Sequence, residues 1–163
     1  MIRRLTASHL TAYRALRQHG LRESPEAFVE TAEEEAKRSD DEYTAMLARG
    51  DAWGAFVDEK LVASMVIDAI PGAALAHTRW IHAMYAHPDG RGGGVARRLV
   101  ETALADAEAQ GVTHFLLWVS SENPRARRFY ESLGFRETGR IAGGLRYGGR
   151  PADDVLMCLR RDA

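Results

Sequence analysis

Cysteine is almost missing from this chain: Cys158 is the only one among 163 residues. That excludes an internal disulfide and any cysteine-rich metal site, and no metal is expected. Cys158 lies in an apolar run near the end of the sequence, where a small buried side chain is the expected role. Lysine is nearly as scarce, with Lys37 and Lys60 against 20 arginines (22 − 2). An arginine bias suits phosphate binding, although a coding bias explains it with fewer assumptions. Neither sign of charge is in excess: 22 basic against 23 acidic residues leave a net −1, so there is no global pull toward nucleic acid or an anionic membrane. No apolar run approaches the roughly 20 residues of a membrane span, and the first residues show no apolar core of a secretory signal. The expectation is a cytoplasmic protein without nucleic-acid or membrane partners. Repeats, low-complexity tracts and linkers are absent too. A single domain over residues 1–163 is expected, large enough to bury roughly two-thirds of its unfolded surface.

What is present reads as alternating strands and helices. "MIRRLT" suggests a short strand, after which Thr6 or Ser8 caps a helix carrying Leu10, Tyr13, Leu16 and Arg17 and ending near Gly20. Residues 23–42 hold nine Asp or Glu against Lys37 and Arg38, around a second helical region. "AWGAFVDEKLVASMVIDAI" reads as two strands joined by a tight turn at Asp58, Glu59 and Lys60. "TRWIHAMYAHP" is a further strand. Val95, Leu99, Val100, Ala103, Leu104 and Ala107 then mark one face of a helix closed by Gly111. "HFLLWVS" is a continuous apolar run, the pattern of a strand buried on both faces. In "SENPRARRFYESLGF", Asn123 stands at a helix cap, Pro124 at the first helical position and Gly134 just past the end. Two last strands, near residues 135–141 and 155–160, flank a loop "AGGLRYGGRPADD". The sum is a mixed sheet with helices packed on it.

Four of the five residues 90–94 are glycine, directly before a long amphipathic helix. The first turn of a helix has N–H groups without intrahelical partners, and the macrodipole adds positive potential there. Bare backbone at Gly92, Gly93 and Gly94 lets a phosphate oxygen approach those donors, and Arg91 and Arg97 add charge-assisted contacts. A flexible turn that merely permits close packing is the plainer alternative. G-x-x-x-x-G-K-[ST] is absent, so this is no P-loop. A dinucleotide G-x-G-x-x-G fails at its third glycine, where Val95 or Arg97 stands.

R-x-x-G-x-A does fit, spelled Arg91, Gly92, Gly93, Gly94, Val95, Ala96. Followed at the right separation by Asn123, Ala126, Tyr130 and Gly134-Phe135, it resembles the GCN5-related N-acetyltransferase (GNAT) superfamily over essentially the whole chain. The resemblance implies an α/β fold with a mixed, mostly antiparallel central sheet of six to seven strands. About four helices would flank it, and a central strand pair would splay apart. It implies acetyl-CoA as co-substrate, its pyrophosphate on residues 91–96 with Arg97 beside it. The pantetheine arm would pair with Met84, Tyr85 and Ala86, and Asn123 would touch it. Tyr130 matches the tyrosine that protonates the leaving thiolate; by spacing from Ala126 and Leu133 it also reads as an ordinary core aromatic.

The chemistry such an enzyme needs is consistent with these residues. An amine of pKa about 10 must lose a proton before attacking a thioester, and a thiolate whose thiol has a pKa of about 8.5 gains from a nearby phenol. The oxyanion needs a fixed donor, most simply a backbone N–H near Tyr85 or Ala86. Relatives that acetylate a ribosomal-protein N-terminus carry a glutamate five positions ahead of the asparagine; here Trp118 stands there, which takes no proton. His82 falls where some small-amine acetyltransferases carry a histidine, and imidazole suits a base; a hydrogen-bonded structural histidine is the alternative. Glu122 is a second candidate base, and His87 is expected in solvent.

The implied reaction is acetyl transfer to a primary amine of a small molecule, by direct attack in a ternary complex. Acetylation of a protein N-terminus or lysine is the second reading, and a non-catalytic acyl-CoA-binding sensor the third. Glu33, Glu34, Glu35, Asp40, Asp41 and Glu42 read as a solvated helix face or as an attractor of cationic amines. Asp153 and Asp154 are ambiguous in the same way. Trp53, Trp80 and Trp118 either wall a pocket or fill the core. A homodimer is expected from the pairing of sheet edges and late strands in such folds.

Overall fold

The computed structural model describes residues 1–161. In chain order the elements are β1 (Ile2–Arg4), α1 (Leu10–Glu23), α2 (Ala32–Ala36), α3 (Asp40–Ala48), β2 (Ala52–Val57) and β3 (Lys60–Ala69). There follow β4 (Thr78–Ala86), α4 (Val95–Glu108), β5 (His114–Ser120), α5 (Pro124–Ser132), β6 (Arg136–Tyr147) and β7 (Arg150–Arg160). The seven strands form one sheet in the order β1-β2-β3-β4-β5-β7-β6. Its pairings are antiparallel except β4 with β5, which are joined by the crossover helix α4 as a parallel pair requires.

That parallel pair positions the site. Pairing covers only Thr78 with His114, Arg79 with Phe115 and Trp80 with Leu116. Beyond this point β4 stays with β3 through Ala86, while β5 follows β7 as far as Ser120 opposite Asp154. The sheet therefore opens at the C-terminal ends of its two middle strands, as the resemblance implied.

One core lies against α4 and α5 and contains Leu99, Val100, Leu104, Phe115, Leu117, Val155 and Met157. The other lies against α1 and α3, around Leu5, Tyr13, Leu16, Tyr43, Leu47, Phe56 and Val66. Each large apolar side chain so buried contributes roughly 1.5–3 kcal/mol before entropy is charged against it. The α4 face is the one its periodicity indicated: all six of its expected apolar residues are buried.

Several sequence expectations need correction. Helix α1 runs past Gly20 to Glu23, because Gly20 is a packing position: a Cβ there would stand 2.8 Å from Tyr85 Cγ. The second helical region is two helices, each opened by a capping box. Thr31 and Glu34 close the first reciprocally, Ser39 and Glu42 the second. Most of the acidic run is thus exposed helix start, except Glu35, which is fully buried and accepts from Tyr43 Oη and Gln18 Nε2. Strand β5 is not buried on both faces, since Trp118 is 40 % exposed. The expected loop after residue 141 is mostly strand. Gly148 (φ 56°) and Gly149 (φ 82°) make a two-residue hairpin turn, and an irregularity between Ile141 and Leu145 hides the alternation that would have revealed it. Cys158 is half-buried, and His87 is not in solvent but packs on His19 with ring centroids 4.2 Å apart.

Candidate active site

Two clefts meet where β4 and β5 part. One, of about 560 Å³, is lined by Tyr85 and Ala86, by the loop and first turn of α4, and by Asn123 and the start of α5. The other, of about 420 Å³, lies over the opposite face, between β4, β5, the β6–β7 hairpin and the segment linking α1 to α2. Glu26, Ala27, Met84, Asn123, Ala126 and Tyr130 line both clefts.

The first cleft includes a stretch of bare backbone. Gly92 (φ 84°) and Gly94 (φ 68°) occupy the left-handed region, where an L side chain is strained, and a Cβ at Gly92 would meet nothing within 4 Å. The chain turns sharply there and presents Gly92, Gly94, Val95, Ala96 and Arg97 to the cleft at the N-terminus of α4. Gly93 is not part of that wall; its carbonyl accepts from Arg98 Nη1 at 2.8 Å. In β4, His87 N–H donates to Val62 O of β3 at 2.8 Å, so alternation turns the N–H of Ala86 away from β3, toward the opening. The β3–β4 register skips Ala83 and Met84, and Ala83 holds φ 51°. This bulge in a non-glycine residue is local strain beside the site.

The side chains around this backbone are already engaged. Arg91 donates Nε to Ala86 O (3.0 Å) and both terminal nitrogens to Glu23, at 2.9 and 2.7 Å. Glu23 also accepts from Tyr85 Oη at 2.6 Å, and His19 Nδ1 lies 2.8 Å from the same hydroxyl. The Arg91 and Tyr85 hydrogen bonds hold the Glu23 carboxyl down at about 2, while burial and Glu23 push the Tyr85 phenol up. Arg97 pairs with Glu101 (3.1 Å) and donates to Ser132 Oγ (2.7 Å).

At the junction, Asn123 caps α5, its Oδ1 accepting from Ala126 N at 3.0 Å. Tyr130, 7 % exposed, is held edge-on between Phe129 and Phe135 with centroids 5.3 and 5.6 Å away. Burial pushes its phenol above the ordinary value. Among the described residues its hydroxyl has no hydrogen-bond partner.

The second cleft is made of side chains. His82 Nε2 lies 2.6 Å from Asp68 Oδ2 of β3, whose Oδ1 is buried and unpartnered. Trp80 and Trp118 expose 44 % and 40 % of their surfaces and line this cleft, whereas Trp53 is in the core. Arg17 and Arg38 both reach Glu30, at 2.5 and 2.9 Å. Tyr147 Oη donates to Glu26 O at 3.0 Å, tying the β6–β7 hairpin to the α1–α2 segment. Glu122 stands apart from His82: it lines the first cleft and pairs with Arg150 at 2.9 Å. Sequence reasoning missed Glu23 and Asp68. The β3–β4 register places Asp68 opposite Trp80 and diagonal to His82, so the hairpin held the signal for one of them.

The profile of the acetyltransferase (GNAT) family matches residues 13–135. The chain belongs to that family. It is 39 % identical over 66 residues to an uncharacterized N-acetyltransferase of Methanocaldococcus jannaschii, covering 40 % of this chain and 29 % of the relative. Over 78 residues it is 40 % identical to the mycothiol acetyltransferase of Beutenbergia cavernae, covering 48 % and 25 %. The matches thus span less than a third of these curated relatives. A Streptococcus pneumoniae GNAT acetyltransferase superposes with a TM-score of 0.88, 19 % identity and 99 % of each chain covered. A Salmonella typhimurium protein solved with its cofactor acetyl-CoA superposes at 0.86, with 18 % identity and 100 % and 94 % covered. At such identities these likenesses concern the GNAT fold.

Proposed function

We propose that this GNAT chain is an acetyl-CoA-dependent N-acetyltransferase that acetylates a primary amine of a small molecule in a cytoplasmic setting. The observation that carries the reading is the meeting of a backbone-lined cleft and a side-chain-lined cleft at Tyr130, through the gap between β4 and β5. The first cleft suits a phosphorylated, strand-like ligand. Its wall offers the N-terminal amides of α4 for a pyrophosphate and the edge of β4 at Met84 to Ala86 for an amide-bearing arm. Acetyl-CoA bound there supplies a thioester whose carbonyl carbon accepts the amine and whose sulfur leaves as a thiol.

Every other part of the reaction is carried by the chain itself. With Nε2–H donated to Asp68, His82 keeps Nδ1 to take the amine proton directly or through water. A backbone N–H facing the opening stabilises negative charge on the carbonyl oxygen. Tyr130, which lines both clefts and whose hydroxyl has no hydrogen-bond partner among the described residues, gives its proton to the departing sulfur. A small acceptor is favoured by the Tyr147–Glu26 link, which ties together two segments that line the second cleft.

Calorimetric titration with acetyl-CoA, with NADH and ATP as controls, tests the reading. Micromolar binding of acetyl-CoA alone is expected, followed by amine-dependent thiol release. Absence of binding by folded protein would make residues 91–96 a mere turn and overturn the assignment.

A further inference from the structure

The charges and rings of the second cleft say more about the acceptor than that it is an amine, and this step rests on the acetyltransferase reading above. Side chains alternate along strands, so Trp80 and His82 of β4, Trp118 and Ser120 of β5 and Asp154 of β7 share the face that forms the cleft floor. The two indoles are among the few large apolar side chains left substantially exposed, and both exposures fall inside one concavity. An indole has an apolar body and an electron-rich face, and it suits either an aromatic ring or an ammonium beside it.

The ionised groups in the same cleft are unevenly partnered. Its two arginines, Arg17 and Arg38, are both committed to Glu30. Arg17 is only 5 % exposed, so it offers little to a ligand. Two carboxylates, Asp154 and the Glu26 side chain, have neither an ion pair nor a hydrogen bond among the described residues. Asp154 is partly buried, and burial raises its pKa with no cation to oppose the shift. A desolvated carboxylate without a counter-charge is costly, and a cationic ligand relieves that cost. Asp154 sits opposite Ser120, at the end of β5 nearest Asn123 and Tyr130. The indoles lie further back along the strands. The cleft thus offers its free negative charge at the reacting end and its aromatic surface behind it.

We propose that the acceptor is a primary monoamine carrying an aryl group on a short alkyl chain and no carboxylate. Asp154 would receive its ammonium before deprotonation, and Trp80 and Trp118 would flank its ring. The cleft volume of about 420 Å³ falls within the roughly 300–1,000 Å³ of small-molecule sites. An α-amino acid would bring a carboxylate toward Asp154 and Glu26 and find both arginines occupied.

The test compares kcat/KM for 2-phenylethylamine, propylamine, phenylalanine and spermidine at saturating acetyl-CoA, with acetyl-CoA binding measured separately. 2-Phenylethylamine should exceed each of the others by at least about tenfold. Trp118→Ala should lower kcat/KM for 2-phenylethylamine by about tenfold or more and for propylamine by less than about threefold. Trp80→Phe, a milder change that keeps an aromatic face, should fall between wild type and Trp118→Ala. Asp154→Asn should lower both amines together. Preference for phenylalanine or spermidine would overturn the proposal, as would equal losses for both amines in Trp118→Ala. So would acetyl-CoA binding without turnover of any of the four, and that result would leave the cofactor reading intact. Failure to bind acetyl-CoA would overturn both.

Discussion

The two clefts that meet at Tyr130 are built in opposite ways. The one beside α4 is a property of the main chain: two glycines at positive φ, a helix start and the outward edge of a strand. Its wall comes from the end of β4, the glycine loop with the first turn of α4, the start of α5 and a short piece of the α1–α2 segment. The one over Trp80 and Trp118 is a property of side chains from α1, the α1–α2 segment, β4, β5, β6 and β7. A ligand shared by many relatives can be held by backbone, which does not change when residues do. A ligand particular to one protein has to be recognised by side chains, and these are free to vary. The common half and the individual half of this molecule therefore differ in material as well as position.

Tyr130 belongs to both clefts, and changing it should separate chemistry from binding most sharply. Tyr130→Phe keeps the ring between Phe129 and Phe135 and removes only the hydroxyl, which bonds to no described residue. Turnover should fall by about a hundredfold or more, the range of a lost general acid. Acetyl-CoA affinity by calorimetry should stay within about twofold, and the melting temperature should not fall. Equal activity in the variant would return Tyr130 to the role of a core aromatic.

The difference in material also explains what could be read in advance. The start of α4 just after the glycines, the Asn123 cap and the α4 face are local patterns, and the structure puts each where the pattern indicated. The departure of β4 from β5 was legible through family resemblance alone, since nothing in "TRWIHAMYAHP" announces where a parallel pairing stops. The acceptor cleft was hardly legible. "HFLLWVS" looks uniformly apolar, and only the opened sheet leaves Trp118 facing a cavity while Leu117 and Val119 are buried. The acidic run resolved into capping residues, one buried glutamate and the arginine clasp on Glu30, a partition that depends on tertiary contacts. Glu23 and Arg91 are 68 positions apart, and no local spacing relates them.

The backbone character of the first cleft can be broken one glycine at a time. Gly92→Ala and Gly94→Ala place an L residue at φ 84° and 68°, a cost of about 1–2 kcal/mol each. If the turn relaxes to relieve it, acetyl-CoA affinity should drop by about tenfold. Gly93→Ala is the control. Its φ is not positive, an added Cβ would meet only Val95 Cγ2 at 3.9 Å, and the residue does not line the cleft. Its affinity should stay within about twofold. Equal losses at all three positions would mean that bulk near the ligand matters and backbone conformation does not.

The smallest expected effect concerns the junction between α1 and that loop. Glu23 is held at about 2 against an ordinary 4.5, first by the Arg91 hydrogen bonds and then by that of Tyr85. A carboxyl whose folded pKa is depressed contributes stability that is fully present above about 4.5 and is lost as pH falls through about 2. The side chain is 30 % exposed, so solvent screens the pair and the contribution is modest. Glu23→Gln keeps the shape and removes the charge. The melting temperature of the wild type should therefore exceed that of the variant near pH 6, and the gap should close as the pH is lowered toward 2. A gap that stays constant over that range would show that Glu23 acts through shape and hydrogen bonding alone, and that its charge does not anchor Arg91 beneath the glycine loop.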